Sequence, residues 1–136
     1  RLNMMSASMQ GAMAFQKGLG AIHSLSHPIG AVYGTHHGTT NAVVMPMVLD
    51  MNRAAIEDRI EKAAAYLGIK GGFDGFRAAV MELRKTLNIP ENLTALGVTN
   101  PNLDELTEMA LEDPSCGGNP VAMTRENTRA LFDACM

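Results

Sequence analysis

Apolar residues recur at three- and four-residue steps along most of the chain, the period of an α-helix packed on one side. Between Leu2 and Leu19 the pattern is double: Met5, Met9, Ala12 and Met13 form one stripe, and Ala7, Gly11, Ala14 and Gly18 form a second of small residues. Small side chains let a neighbouring helix approach closely and Met fills irregular gaps, so this helix is expected to be central and buried on two faces. From Gly20 to Gly38, glycines at 20, 30, 34 and 38 together with Pro28 punctuate the chain and predict turns joining two helices. A second helix is expected to start between Thr35 and Thr39 and run to about Asn52. It carries Val43, Val44, Met47, Val48 and Met51 on one face and a kink at Pro46. A third, from Arg53 to Leu67, presents Ile56, Ile60, Ala63, Ala64 and Leu67 inward, keeps Glu57, Asp58, Glu61 and Lys62 in solvent, and ends on Gly68 as a left-handed cap. The spacing of Phe73, Phe76, Val80, Leu83 and Leu87 predicts a fourth, with Asp74 as its cap and Pro90 just beyond it.

Asn100 before Pro101 announces a fifth helix, with Asp104 and Glu105 in its early turns and Leu103, Leu106, Met109 and Ala110 facing inward. After a loop from Asp113 to Pro120, Thr124 caps a last helix that runs through Ala134, its apolar side made by Ala130, Leu131 and Ala134. No segment alternates with the two-residue period of a strand, and there is no internal repeat, low-complexity tract or long linker. The expected fold class is all-α, a multi-helix bundle of about six helices joined by short loops.

A length of 136 residues with 46% hydrophobic side chains suits one domain with its own core. Eleven Lys and Arg against 14 Asp and Glu give a net charge of -3. With no basic stripe, nucleic acid and anionic membranes are excluded as partners. Cys116 and Cys135 are far apart and outside any metal spacing, which argues against a disulfide framework or a zinc–cysteine site and fits a reducing cytoplasm. The longest apolar stretches, such as Ala42 to Leu49, fall far short of the roughly 18 residues a membrane span needs. No signal peptide opens the chain. Arg1 runs straight into a Met-rich helical pattern with no starting Met, cap or turn ahead of it, so the chain is expected to begin inside a larger protein.

All four histidines, His23, His27, His36 and His37, fall in one short segment. Imidazole ligates transition metals and titrates near neutrality, so both metal binding and acid–base work are open to such a cluster. His23 and His27 stand four apart, as in the zinc-protease arrangement. That arrangement also needs a Glu beside the first His, and here the sequence is His-Ser-Leu-Ser-His. Pro28 biases His27 away from helical geometry and works against convergence of the two rings. His37 lies at the expected start of a helix, where the dipole disfavours imidazolium and leaves the neutral, ligating form. A catalytic divalent metal takes about three protein donors and keeps one position open. Spacing alone does not decide which histidines serve, and histidines hydrogen-bonded at turns are the plainer alternative.

The segment Gly18 to Pro46, GLGAIHSLSHPIGAVYGTHHGTTNAVVMP, resembles the iron-containing (group III) alcohol dehydrogenase family. The matching elements are His23, His27-Pro28, Gly30, His37-Gly38 and Asn41-Ala42. The likeness extends along the chain, including the Met-Ala-Phe-Gln-Lys stretch before this segment and the Gly-Gly-Asn-Pro loop before the last helix. The resemblance implies the carboxy-terminal part of a dehydroquinate synthase-like fold. Residues 1–136 are then a helical metal-binding domain, incomplete in itself, and the amino-terminal nucleotide-binding domain is not in this chain. In that family an Asp and three histidines hold Fe2+, sometimes replaced by Zn2+. By resemblance His23 and His37 are the last two ligands, and the first two lie upstream. His27 matches the family histidine between metal and nicotinamide, which orients substrate or cofactor and moves a proton. His36 matches no ligand and is expected to be a turn residue. Phe15, with Met13 and Leu19, precedes the first ligand and is a candidate wall of the substrate pocket, although core packing is the simpler role for each.

The chemistry implied is reversible oxidation of a small alcohol to its aldehyde, with hydride passing to NAD or NADP and the metal polarising the substrate oxygen. The parent enzyme is expected to be a homo-oligomer. The glycines at 68, 71 and 72 and at 117 and 118 lack the strand and helix that phosphate cradling requires, so they are loop glycines. Two histidines do not close a catalytic metal site, and the isolated chain is expected to bind metal feebly and to be inactive. The alternative of a different class is a stand-alone helical protein whose histidine segment binds metal or a partner without catalysis. The sequence upstream of Arg1 distinguishes the two.

Overall fold

Helical periodicity is realised along most of the chain. The computed structural model describes residues 1–136 and contains seven α-helices, one 3₁₀ turn and no strand. The helices are α1 (Leu2–Phe15), α2 (Ala21–Tyr33), α3 (His37–Tyr66), α4 (Gly72–Thr86), α5 (Leu93–Leu96), α6 (Leu103–Glu112) and α7 (Arg125–Cys135); the 3₁₀ turn is Cys116–Gly118. The all-α expectation holds, and no helix is long and apolar enough to cross a membrane.

The main core is built around α2. Its Ala21, Leu25 and Ile29 pack with Val43, Val44 and Val48 of α3, Leu106 and Ala110 of α6, and Leu131, Phe132 and Cys135 of α7. Leu93 and Val98 close one end. The later half of α3 leaves this core and packs on α4. There the Arg53 guanidinium lies 4.7 Å from the centre of the Phe73 ring and pairs with Asp74, while Arg77 pairs with Asp50 at 2.7 Å. Cys116 and Cys135 are free; burial pushes the Cys135 thiol up to about 12, so it packs as an apolar group.

Several expected elements differ from the observed ones. The Gly20 to Gly38 segment is not a run of turns: α2 occupies most of it and continues through Pro28. Leu25 and Ile29 are wholly buried on either side of His27 and Pro28, and that packing outweighs the local bias of the residue before a proline. The expected second and third helices are one, because nothing between Asn52 and Arg53 stops the backbone ladder; α3 changes partners there instead of ending. α5 adds a short helix that four residues of pattern could not announce. α1 is a helix, but none of its residues is buried: Leu2, Met5 and Met9 are 80%, 69% and 60% exposed. The expected double burial is not supplied by this chain.

Caps follow local chemistry more closely. Gly68, at φ +71, ends α3 with paired bonds from Gly68 N–H to Ala65 O and from Ile69 N–H to Ala64 O, as expected. Thr124 and Asn127 form a reciprocal capping box at the start of α7. That helix buries Thr128, Leu131, Phe132 and Cys135, leaving Ala130 and Ala134 exposed. α6 is capped by Asn102, two residues later than Asn100, which takes a left-handed φ of 47° ahead of the helix. α4 is preceded by Gly71 and not capped by Asp74, which instead pairs with Arg53.

One polar tie locates the start of α2. Gly20 offers α2 no side-chain cap, and the Ala21 N–H is received from the far end of the chain by Asn119 Oδ1 at 3.1 Å. Asn119 and Asn52 of α3 exchange amide hydrogen bonds of 2.8 and 2.9 Å, and Asn119 Nδ2 also donates to the Val121 carbonyl. The approach is so close that a Cβ on Gly118 would collide with the Leu19 carbonyl oxygen. Asn119→Ala leaves the Asn52 amide and the Ala21 N–H without this partner and is expected to destabilise the protein by about 2–3 kcal/mol. The Asn52→Ala/Asn119→Ala double variant should cost little more than either single change, as measured by denaturant unfolding, because both remove one shared network. Additive losses would show that the two amides act separately.

Candidate metal centre

With α2 helical, the four-residue spacing of His23 and His27 places both rings on one face. Gly34, at φ +65, ends α2 by returning its N–H to Gly30 O, and α3 begins three residues later at His37. That short link brings the first residue of α3 against the histidine face of α2. The ring centres of His23, His27 and His37 lie 5.7 Å (23–27), 5.2 Å (23–37) and 5.4 Å (27–37) apart. The structure therefore brings the three together, despite Pro28. His36 stays apart as the cap of α3, its Nδ1 accepting from the Thr39 N–H at 3.3 Å. This is the turn role expected of it.

Two residues that the sequence did not single out for chemistry organise the rings. Asn41, one turn into α3, places its amide nitrogen 3.3 Å from His23 Nε2 and 3.1 Å from His37 Nε2. Asp113, at the end of α6, receives His27 Nδ1–H at 2.8 Å. Asn41 was within reach of the sequence, four residues after His37 on a helix. Asp113 is 86 residues from His27, and nothing local marked it.

Burial pushes the Asp113 carboxyl up, but the Ser115 backbone N–H, His27 and the Ser115 hydroxyl together outweigh it, and the carboxyl is held below its ordinary value. His23 is held below its ordinary value by burial first, then by its neighbours His37 and His27. It is thus biased to the neutral form that can ligate. Phe15 meets His23 edge-on, 5.9 Å between ring centres, and both line an open cleft of about 350 Å³ shared with Leu19, Val48, Asn52 and Asn119. Met13 is not part of its lining.

The donor chemistry of His23 and His37 fits a borderline divalent metal such as Fe2+ or Zn2+, since two imidazole nitrogens, His23 Nε2 and His37 Nε2, face one point. The chain supplies no more than that: no group of three His, Cys, Asp or Glu side chains is arranged to hold a metal ion.

The family model described as "Fe-containing alcohol dehydrogenase family, C-terminal" matches residues 1–136. The 4-hydroxybutyrate dehydrogenase of Cupriavidus necator is 43% identical over 145 residues, an alignment covering 100% of this chain and 38% of that protein. Among solved structures, a 1,3-propanediol oxidoreductase superposes with a TM-score of 0.80 at 30% identity, covering 87% of this chain and 33% of that one. The alcohol dehydrogenase from Oenococcus oeni gives 0.87 at 26% identity, covering 98% and 37%. The chain spans well under half the length of these relatives.

The depressed Asp113 carboxyl has a definite pH signature. Its folded value lies below the unfolded one, so its stabilisation is complete above the ordinary carboxyl range and is lost as pH falls through the lowered value. Unfolding measured against pH should show wild type more stable than Asp113→Asn at pH ~5, with the gap closing below pH ~4. A gap that widened on acidification would reverse the assigned direction.

Proposed function

The chain belongs to the iron-containing alcohol dehydrogenase family, and from that premise we propose that it is the carboxy-terminal helical part of an NAD(P)-dependent alcohol dehydrogenase acting on small alcohols and aldehydes. The observation that carries the reading is the meeting of His23 Nε2 and His37 Nε2 on one point, in the segment with the family's histidine spacing. In this reading His23 and His37 are two of the metal's protein ligands. The remaining donors and the nucleotide-binding domain come from the rest of the parent protein, which is read as cytoplasmic and homo-oligomeric. A divalent metal, when bound, polarises the substrate oxygen and stabilises negative charge on it.

His27 has a different task. Its Nδ1–H is committed to Asp113, which fixes the tautomer and leaves Nε2 as an acceptor beside the His23 and His37 rings. That nitrogen can take a proton from a substrate hydroxyl during oxidation and return it during aldehyde reduction. The ring also stacks on His37, with the planes 17° apart, so its orientation is set on two sides. Phe15 and Leu19 line the cleft beside His23 and present apolar surface to the carbon part of a small substrate.

The test uses the full-length enzyme loaded with ferrous iron, assayed for oxidation of 4-hydroxybutyrate and 1,3-propanediol by NAD and NADP and for the reverse aldehyde reduction. His23→Ala and His37→Ala should each lose bound metal and turnover together. His27→Ala should retain the metal while kcat falls by about a hundredfold or more, the scale of a lost acid–base group. Unchanged metal content in the first two variants would sink the ligand assignment. Loss of metal in the third would exchange the roles of His27 and a ligand.

A further inference from the structure

His27 is an open residue among closed ones. Ser26, Pro28 and Ile29 beside it are buried, whereas its own side chain is 40% exposed, so packing does little to aim it. His37 stacks on its face. A face-to-face stack is indifferent to a half-turn of the ring about Cβ–Cγ, a torsion whose wells are two-fold. That half-turn exchanges Nδ1 with Cδ2 and Nε2 with Cε1, and it carries Nε2 to the other edge of the ring. Something other than the stack has to choose between the two settings.

The Asp113 carboxylate makes that choice, because only one setting brings Nδ1 to its Oδ2 at 2.8 Å. Of the two partners the carboxylate is the fixed one. Its side chain is 12% exposed, and its Oδ1 is held by the Ser115 backbone N–H at 2.8 Å. Asp113 directly follows α6, and α6 is registered on α2 by a buried hydrogen bond of 2.8 Å from Ser24 Oγ to the Ala110 carbonyl. His27 comes three residues after Ser24, and Asp113 three after Ala110. The buried contact therefore brings the carboxylate level with the ring.

Resting on the reading of His27 above, we propose that Asp113 is a positioning residue on which turnover depends: with one oxygen spent on the Ser115 backbone and the other on the imidazole, it holds His27 in the single ring setting that presents Nε2 to substrate. It acts through the histidine and touches no reacting atom. The division of its two oxygens explains why an amide cannot take its place. In Asp113→Asn the Ser115 N–H keeps an oxygen at the first position, so the NH2 group falls at the second, where it meets the ring N–H donor against donor. The contact that selected the setting then opposes it, although the shape of the side chain has hardly changed.

The experiment takes the full-length enzyme loaded with ferrous iron and compares wild type, His27→Ala, Asp113→Asn and the double variant for bound metal and for oxidation of 1,3-propanediol by NAD and NADP. Asp113→Asn should keep its metal and hold KM within about threefold while kcat falls about a hundredfold, the scale of a lost acid–base group. In the His27→Ala background the same substitution should lower kcat no further, because the group it positions is gone. Ser24→Ala, which loosens the register of α6 without touching the pair, answers the same question if Asp113→Asn folds poorly: it should lower kcat only where His27 is present. An equal fall in both backgrounds, loss of metal from Asp113→Asn, or a kcat equal to that of wild type would each overturn the proposal. Failure of the underlying reading looks different, since His27→Ala would then itself keep the wild-type kcat.

Discussion

The reciprocal amide pair between Asn52 and Asn119 decides where α2 begins, and the histidine arrangement depends on it. A helix that starts at Gly20 has no cap of its own, and its first turn needs an acceptor from elsewhere in the chain. Asn119 supplies the missing acceptor to Ala21 N–H while its amide is locked to α3. The same contact therefore sets the start of α2 and its position against α3. Burial of Leu25 and Ile29 then fixes which face turns inward, and His23 and His27 have one remaining direction to point.

Within the cluster, three imidazoles stand at mutual distances of 5.2–5.7 Å, burial and then the two neighbouring rings hold His23 below its ordinary value, and two polar groups of opposite kind pair with the ring nitrogens. Asp113 can only accept, so it claims the Nδ1–H of His27. The Asn41 nitrogen can only donate, so it claims the Nε2 lone pairs of His23 and His37. Three chemically identical side chains thereby acquire two roles: a pair whose bare nitrogens face a common point, and a third ring oriented by a carboxylate. The carboxylate is held in place by Ser115, whose backbone N–H reaches Asp113 Oδ1 at 2.8 Å.

What the sequence revealed divides by distance along the chain. The Thr124 cap and the Gly68 ending of α3 are settled within six residues of backbone, and both were legible. So was the family, because the resemblance is carried by one unbroken segment. α2 was hidden because glycines and Pro28 are local breakers, whereas the burial that overrides them is contributed by α3, α6 and α7. The Asp113 partner of His27 and the Asn119 cap of Ala21 were unreadable for the same reason, lying 86 and 98 residues away. The burial predicted for α1 failed differently. The stripes are real, but a stripe states that a partner is wanted and says nothing of which chain supplies it.

That uncovered helix and the histidine cluster share one place. The cleft that holds His23 is lined on its other side by Gly11, Ala14 and Gly18 of the small-residue stripe, together with Phe15. Residues without bulk at those positions leave the cleft open toward the histidine and let a backbone come close to it. Neither feature is explained by the stability of this chain alone: exposed methionines along α1 contribute nothing to its core, and two imidazoles do not complete a metal's coordination. The exposed stripe of α1 and His23 thus border one open cleft.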